Sequence, residues 1–322
     1  MLTSRSVLFV FAVLLTVGLA GGCEQPSTSD INQTEKGVVR LGSVEAVDTV
    51  ARAVAPSGRP LVIDGFRGRV ALKGGDTETA DLQFVRRARG EDAETARGVL
   101  QDVTITESGS EQSYTYTLET DGRAYAAVDV SGTVPRGSAL RIEQSSGPVV
   151  IDGIAGPLTV KHEHGPVTIR DASASVEVEA KNGDLDVAVQ SVPADATIAL
   201  RTKNGDVTLR LPPNASVQIN AETSAGNIRT RGLALTGQEF LPRDAGGEYA
   251  AQLGPGDASV ELHTENGSVL VQSAEMDTTM SEPESESLSP PPSDTTVTGP
   301  SAPDTAQTAD TTSVTPAPDT TE

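Results

Sequence analysis

The 322-residue chain has one cysteine, no tryptophan and only 3% aromatic residues. A single cysteine cannot form a disulfide within the chain, so no staple of that kind holds the fold together. Ligand grooves are usually lined by hydrophobic and aromatic side chains, yet no Tyr or Phe lies between Ile142 and Arg231. Together with the absence of a phosphate-cradling glycine loop, this argues against an enzyme, and no cofactor or resident metal is expected.

Positive charge is also scarce. The chain holds 24 Lys and Arg against 45 Asp and Glu, a net charge of −21. Residues 23–272 contain 23 of the basic and 35 of the acidic residues and therefore keep a net charge of −12. An acidic body repels polyanions, so nucleic acid and anionic lipid surfaces are not expected partners.

Only one long hydrophobic run is present, Val7–Leu19. Its thirteen residues follow Arg5 and fit the apolar region of a secretory signal, and they are too few for a membrane span. The next residues, Ala20–Cys23, resemble a bacterial lipoprotein signal, which implies cleavage after residue 22 and lipidation of Cys23. Glu24 after the cysteine implies the outer membrane in a host that has one. The alternative is an ordinary signal peptide cut nearby, leaving an unmodified cysteine.

Both ends of the exported chain are predicted to be non-globular. Residues 23–37 are predicted to be a flexible linker from the lipidated Cys23. Residues 273–322 contain eight prolines, twelve threonines, ten acidic residues and no Lys or Arg. Nothing apolar recurs there, so the segment is predicted to be a disordered acidic tail. It could carry O-glycans or act as a spacer.

Between the ends, residues 38–272 show a nine-residue rhythm of apolar pairs two residues apart, which is typical of short half-buried strands. The rhythm is loose over 38–135 and regular over 136–272, with an insertion at 231–259. Val149, Leu158, Val167, Val176 and Leu185 follow one another at intervals of nine. Glycine recurs in the intervening turns, where it tolerates a positive φ: Gly147, Gly165, Gly183, Gly205, Gly226 and Gly267.

Two architectures use such a rhythm. Asn-Gly between alternating strands favours antiparallel hairpins, as in a meander or sandwich. Very short strands, the same turn chemistry at the same phase and a small aliphatic interior favour a parallel β-solenoid, whose coils stack about 4.8 Å apart.

A family resemblance bears on this choice. Val128–Ile169, the turns KNGDLDV (Lys181–Val187) and KNGDVTL (Lys203–Leu209), and Ser224–Thr230 resemble the bacterial "putative adhesin" domain of unknown function. The resemblance covers residues 61–271, is specific for fold and is weak for activity. It implies an all-β fold, a single-stranded right-handed parallel β-solenoid (β-helix) of short strands.

Three histidines and two aspartates are candidate site residues. His162 and His164 lie two apart and could share a strand face opposite Glu163, but a metal needs further ligands and His263 is about a hundred residues away. The pair is therefore interpreted as solvated turn residues.

Asp184 and Asp206 could align on successive coils as paired carboxylates. Lys181 and Lys203 accompany them, which favours a surface ladder of compensating charges over catalysis.

Two further stretches stand out. The basic segment Arg86–Asp92 is interpreted as a short solvated loop or helix. The insertion contains Phe240 and Tyr249, in a part of the chain otherwise poor in aromatic residues. It is predicted to cover the last coils or the open edge of the solenoid, and these two residues are the candidate interaction patch.

The function predicted from these features is that of a lipid-anchored envelope β-solenoid, a structural or interaction protein of adhesin-like type without catalytic activity. Its expected partners are the membrane, through the N-terminal lipid, and an envelope polymer or surface protein. The alternative is a carbohydrate-active or carbohydrate-binding β-helix protein of the envelope.

Overall fold

The computed structural model describes residues 44–121 and 125–274. The predicted signal peptide, Cys23, the linker and all of the predicted tail except Ser273 and Ala274 lie outside the described residues. The described part contains one helix, α1 (Ala93–Gln101), which is too short to cross a membrane. The strands are β1 (Val44–Val54), β2 (Leu61–Arg67), β3 (Val70–Gly75), β4 (Ala80–Gly90), β5 (Val103–Gly109), β6 (Tyr114–Thr120), β7 (Ala126–Pro135), β8 (Leu140–Ser146), β9 (Val149–Asp152), β10 (Leu158–His164), β11 (Val167–Ala172), β12 (Val176–Asn182), β13 (Leu185–Val189), β14 (Thr197–Asn204), β15 (Val207–Leu211), β16 (Val217–Ala225), β17 (Ile228–Arg231), β18 (Leu235–Arg243), β19 (Gly246–Leu253), β20 (Ala258–Asn266) and β21 (Val269–Ser273).

These strands form two sheets. Sheet A has the order β1-β4-β7-β3-β9-β11-β13-β15-β21-β17, and sheet B has the order β18-β19-β16-β20-β14-β12-β10-β8-β2-β6-β5. Each coil of the chain contributes one strand to sheet B and the next to sheet A. The nine-residue rhythm is therefore half a coil, which is why the same turn chemistry returns only every second unit.

Adjacent coils run parallel and in register. In sheet B, Leu158 lies between Leu140 and Val176, and in sheet A, Val167 lies between Val149 and Leu185. The expected all-β, solenoid-like fold is confirmed, and the coils do not form the antiparallel meander that Asn-Gly turns also favour.

The spatial order of the coils departs from chain order at both ends. At one end, the coil β2–β3 lies between β6–β7 and β8–β9. At the other end, β20–β21 lies between β14–β15 and β16–β17. The coils β2–β3 and β20–β21 are thus each covered by another coil on both sides.

Antiparallel strands cap both ends. β4 and β1 extend sheet A beyond β7, β5 extends sheet B beyond β6, and the hairpin β18–β19 extends sheet B beyond β16. The hairpin is formed by the insertion, which places it at the edge where an edge cover was expected.

The basic segment Arg86–Asp92 is not a solvated loop or helix over most of its length, so that interpretation was wrong. Arg86 to Gly90 belong to β4, where Arg86 pairs with Asp48 of β1. The alternation of buried Leu82, Phe84 and Ala88 with more exposed neighbours continues the strand into the basic run. The predicted helix is present only at the end of the segment: Asp92 is the N-cap of α1 and accepts a hydrogen bond from the Thr95 N–H.

The glycine corners link the two sheets. In every coil except β6–β7, a glycine precedes the sheet A strand by two residues, and its φ lies between +116° and +158°. A Cβ atom at each corner glycine would overlap a carbonyl oxygen of the adjacent layer, in most cases that of the preceding corner glycine. The six predicted glycines all occupy this stack, and the structure adds one that the sequence analysis missed. In spatial order the stack is Gly68, Gly147, Gly165, Gly183, Gly205, Gly267 and Gly226.

We predict that Gly147→Ala strongly destabilises the protein, because the new methyl group would overlap the carbonyl group of Gly68 at a φ of +116°. The matched control is Gly98→Ala in α1, where a Cβ would meet nothing within 4 Å. This control should gain about 0.5–1 kcal/mol from the better helix propensity of alanine. Urea unfolding of the two variants and the wild type measures both effects. Equal unfolding midpoints for the two alanine variants would contradict the stacked corner.

Candidate functional site

The two candidate aspartates are hydrogen-bond acceptors for the backbone of the glycine corners. Asp184 Oδ1 accepts the Asp206 N–H at 2.9 Å, and Asp206 Oδ1 accepts the Ser268 N–H at 2.7 Å. They do align on successive coils, as the sequence suggested. Each carboxylate satisfies a turn N–H that would otherwise lack a protein partner, so the pair has a structural role.

The lysines beside them have other partners. Lys181 pairs with Glu163, and Lys203 Nζ lies 3.6 Å from Glu265 Oε2. The charge ladder predicted from Lys181, Lys203 and the two aspartates is therefore corrected. The lysines compensate glutamates of neighbouring coils in sheet B, while the aspartates bind backbone.

A ladder of amide side chains runs beside the glycine corners and was missed from the sequence. Asn266 Nδ2 donates to Asn204 Oδ1 at 2.9 Å, Asn204 Nδ2 donates to Asn182 Oδ1 at 2.8 Å, and Asn182 Nδ2 lies 3.1 Å from His164 Nδ1. Each of these residues directly precedes a corner glycine. The Asn that precedes the glycine in the KNG, KNG and ENG turns could have predicted this ladder, but it was interpreted only as a residue that favours a turn.

His162 does not lie on the surface, so its interpretation as a solvated turn residue was wrong. Its side chain is 3% exposed, and Nδ1 lies 3.0 Å from the Gln144 carbonyl oxygen. His164, at the end of β10, is exposed. No cluster of three His, Cys, Asp or Glu side chains able to hold a metal occurs in residues 44–121 and 125–274.

His162 belongs to a row of inward side chains, each three residues before a corner glycine. Thr202, Thr264 and Thr223 donate hydrogen bonds at 2.8–3.1 Å to the carbonyl oxygens of Gly183, Gly205 and Gly267. Gln144 Nε2 donates similarly to Gly68 at 3.1 Å. Burial of this position lowers the pKa of the His162 imidazole, because the charged form loses hydration.

The outer face of sheet B carries charged and ionisable side chains in one continuous row. The registers place these residues side by side across eight strands: Asp64, Glu143, Lys161, Glu179, Arg201, His263, Glu222 and Glu248. Burial and the neighbouring Glu143 raise the pKa of Asp64 at one end of the row. Near the other end, His263 Nδ1 lies 3.4 Å from Glu222 Oε2. We call this set the sheet B row.

Two shallow grooves lie along this row. One of about 550 Å³ covers the middle of the sheet, and one of about 390 Å³ lies against the hairpin β18–β19. Arg201 and His263 line both grooves, so the grooves adjoin at these two residues. His162 points into the interior from sheet B, whereas His263 belongs to the outer row, so the two histidines lie on opposite surfaces of the same sheet.

The hairpin brings Phe240 and Tyr249 together, as the candidate patch requires. They face each other across β18 and β19, and the Tyr249 hydroxyl donates to Gln238 Oε1 at 3.0 Å. Phe240 is 53% exposed, while Tyr249 is partly buried against the core. Leu241, which the sequence analysis did not select, is 50% exposed and lines the groove beside the hairpin.

The hairpin edge is protected against pairing with other strands. The register of β18 shifts between Thr236 and Glu239, and Gly237 has a φ of +59° at this bulge. Pro242 further along β18 has no N–H to offer a partner strand. The exposed apolar side chains are therefore more available for contact than the backbone edge.

A family model described as Toastrack DUF4097 matches residues 73–272. Among solved structures, a "putative cell adhesion protein" from Clostridium sporogenes is 12% identical, with 71% of this chain and 100% of that chain covered and a TM-score of 0.43. A "putative adhesin" from Bacteroides fragilis is 10% identical, with 70% and 97% covered and a TM-score of 0.39. No significant match was found among curated proteins.

We predict that His162→Thr flattens the pH dependence of stability. Because the folded state lowers the pKa of His162, the unfolded chain binds its proton first, and stability falls as the pH drops below about 6.5. Threonine occupies the same position in other coils and there donates to a corner-glycine carbonyl oxygen. Thermal melting between about pH 7 and about pH 5 measures the effect.

The control for this prediction is His164→Asn, at the exposed position that continues the asparagine ladder. Subtracting each variant curve from the wild-type curve removes the titration of carboxylates that all three proteins share. His164→Asn should follow the wild type. Parallel curves for the wild type and His162→Thr would show that His162 does not titrate with folding.

Proposed function

The chain belongs to the Toastrack DUF4097 family, and from that premise we propose that it is a lipid-anchored, adhesin-like envelope protein. In this proposal the stacked coils form a rigid scaffold that presents a binding surface and carries no active site. The surface is the sheet B row continued by Leu241 of the hairpin, which lies opposite Glu248, while Phe240 and Tyr249 present a second patch on the other face of the hairpin. Its partner is an envelope polymer or a surface protein.

The sheet B row is the observation that carries this proposal. It aligns eight charged or ionisable side chains at about 4.8 Å per strand and ends at the hairpin, where two large apolar side chains are half exposed. Exposed ion pairs contribute only about 0–1 kcal/mol each to stability. The row therefore adds little to the stability of the fold, and it presents a regular pattern of charge on the surface.

The shape of the surface supports binding to an extended partner. The two grooves are shallow and follow the row across several coils, which suits a polymer strand or a protein face. The carbohydrate-cleaving alternative loses its candidate residues, because Asp184 and Asp206 are committed to backbone hydrogen bonds. Carbohydrate binding on the row is one form that the polymer partner could take.

We extend the proposal to the hand of the coil, which we expect to be right-handed. Each coil leaves a strand of sheet B, passes through sheet A and returns to sheet B parallel to its start. Crossovers between parallel strands of one sheet are right-handed in about 98% of cases, because the strand twist favours that return.

We predict that Phe240→Ser combined with Leu241→Ser weakens binding of the full chain to whole cells or isolated envelope fragments. Both side chains are exposed, so the fold should survive the change. The matched control is Val47→Ser on β1, at the far end of the solenoid, whose side chain is 50% exposed like that of Leu241. Sedimentation with envelope fragments measures binding. Equal binding by the double variant, the control and the wild type would remove the hairpin from the proposal.

The lipid anchor is tested separately. We predict that the mature N-terminus is a lipid-modified Cys23, and that Cys23→Ser moves the protein from the membrane fraction to the soluble fraction, because a sulfur is required for the thioether. Mass spectrometry of the N-terminal peptide identifies the modification directly. An unmodified cysteine, or a serine variant that stays with the membrane, would contradict the anchor while leaving the binding surface untouched.

A further inference from the structure

A repeated hydrogen bond joins neighbouring coils in sheet A and stops at its last strand, β17. From β7 to β21, one inward residue of each strand donates its N–H to a carbonyl oxygen of the next coil at 2.7–3.0 Å. In spatial order these donors are Val130, Val70, Val149, Val167, Leu185, Val207 and Val269. Ile228 of β17 holds the next position, beside Val269, but its N–H has no acceptor in residues 44–121 and 125–274.

The outer side of β17 therefore presents unpaired backbone groups. In a parallel pair, alternate residues of a strand bond to one neighbour, and the residues between them face the other way. Asn227 accepts the Val269 N–H at 2.9 Å, so Arg229 faces β21, while Ile228 and Thr230 direct their N–H and C=O groups outward. The register of β17 with β21 is continuous and β17 contains no proline, so another extended strand can pair with it. We call residues 228–231 the β17 edge.

The coil beyond β17 is incomplete. β19 continues sheet B beyond β16. The Gly226 N–H donates to the Ala245 carbonyl oxygen at 3.0 Å, which repeats the bond that joins each earlier corner glycine to the next coil. Within the described ranges, this layer thus has a sheet B strand and a corner bond but no strand in sheet A. The place beside the β17 edge is that of the absent strand.

The inner side of this place is apolar. Tyr249 lies on the inner surface of β19, because its cross-strand partner is buried Ala221. Phe240 lies opposite Tyr249 on β18 and is 53% exposed. Ile228 continues the apolar surface on β17, where it packs against the core. A strand added beside β17 therefore meets aliphatic and aromatic groups with its inward side chains.

The outward side chains of such a strand meet positive charge. Arg229 and Arg231 are exposed on the outer face of β17, on either side of the half-buried Thr230. Side chains on adjacent strands lie about 4.5–5.5 Å apart, where opposite charges attract. The β17 edge therefore fits an extended segment whose side chains alternate between acidic and apolar.

We propose that the β17 edge binds an extended peptide segment of another protein, in which acidic and apolar side chains alternate. The segment adds to sheet A as its next strand and completes the open coil. Its main chain bonds to Ile228 and Thr230, and its side chains provide specificity. A second copy of this chain fits less well, because two β17 strands would bring arginines against arginines, and β18 carries Pro242 and the bulge at Gly237. The β17 edge is separate from the sheet B row, so this inference does not rest on the function proposed above.

Hydrogen exchange of the full chain, resolved to single amides by mass spectrometry, tests the proposal. The probe is a capped heptapeptide of alternating glutamate and valine. We expect the Ile228 and Thr230 amides to exchange rapidly in the free protein and to become protected when the peptide is added. Protection of both amides before addition would show that another segment or a second copy already holds the edge, and it would overturn the proposal. So would an absence of protection at saturating peptide.

Fluorescence anisotropy with a labelled peptide measures the contribution of charge and pattern. Arg229→Gln with Arg231→Gln should raise the Kd about three- to tenfold, since each exposed ion pair contributes modestly. The matched control is Lys73→Gln with Arg170→Gln, which removes two exposed positive charges from the same outer face, away from the edge, and should leave the Kd unchanged. Two control peptides should bind more weakly: one with lysine in place of glutamate, and one with the same residues in two blocks. Equal affinity for either control peptide, or an equal loss in both pairs of variants, would overturn the proposal.

Discussion

The close contact between a carbonyl oxygen of one layer and the corner glycine of the next sets the geometry of the whole solenoid. Only glycine lets two coils approach this closely at a positive φ, and seven corners repeat the arrangement. Because the corners stack directly, the strands on either side stay in register, and side chains at equivalent positions form rows. The inner threonines, the asparagine ladder and the sheet B row are all consequences of that alignment.

Much of the fold could be predicted from the sequence, because the relevant physics is local. The alternation in each strand and the glycine turns occur within short stretches of sequence, and they predicted short strands joined by tight turns. The choice of parallel coils over an antiparallel meander rested also on the family resemblance. Gly68 was missed because its turn, between Arg67 and Arg69, lies in residues 38–135, where the nine-residue rhythm is loose. The order of the coils could not be predicted in this way. β20 inserts between β14 and β16 through contacts across about 40 to 60 residues, and every coil offers a similar apolar strand.

The site residues likewise divide into those that local sequence predicts and those that depend on contacts between distant strands. Phe240 and Tyr249 could be found because they are aromatic residues in an insertion, and the hairpin brings them together. His162 was predicted to be solvated because histidine is polar, but its position three residues before the corner glycine points inward. A polar side chain at an inward position needs a nearby carbonyl group, which only the fold supplies. The sheet B row was invisible in the sequence, since its members lie about twenty residues or more apart and meet only through strand register.

The two outer faces of the solenoid differ in a way that local pattern does not require. In the middle of its row, sheet B alternates acids and bases, so Lys161, Glu179 and Arg201 each have a neighbour of opposite sign. Within residues 44–121 and 125–274, Arg229 and Arg231 at the edge of sheet A have no ion-pair partner. Edges are where a stacked fold must either pair, cover or charge its last strand to prevent further stacking. Bulge and proline protect the sheet B edge, whereas the sheet A edge relies on positive charge. Since like charges repel, two exposed arginines on the last strand oppose the stacking of a second copy on this edge.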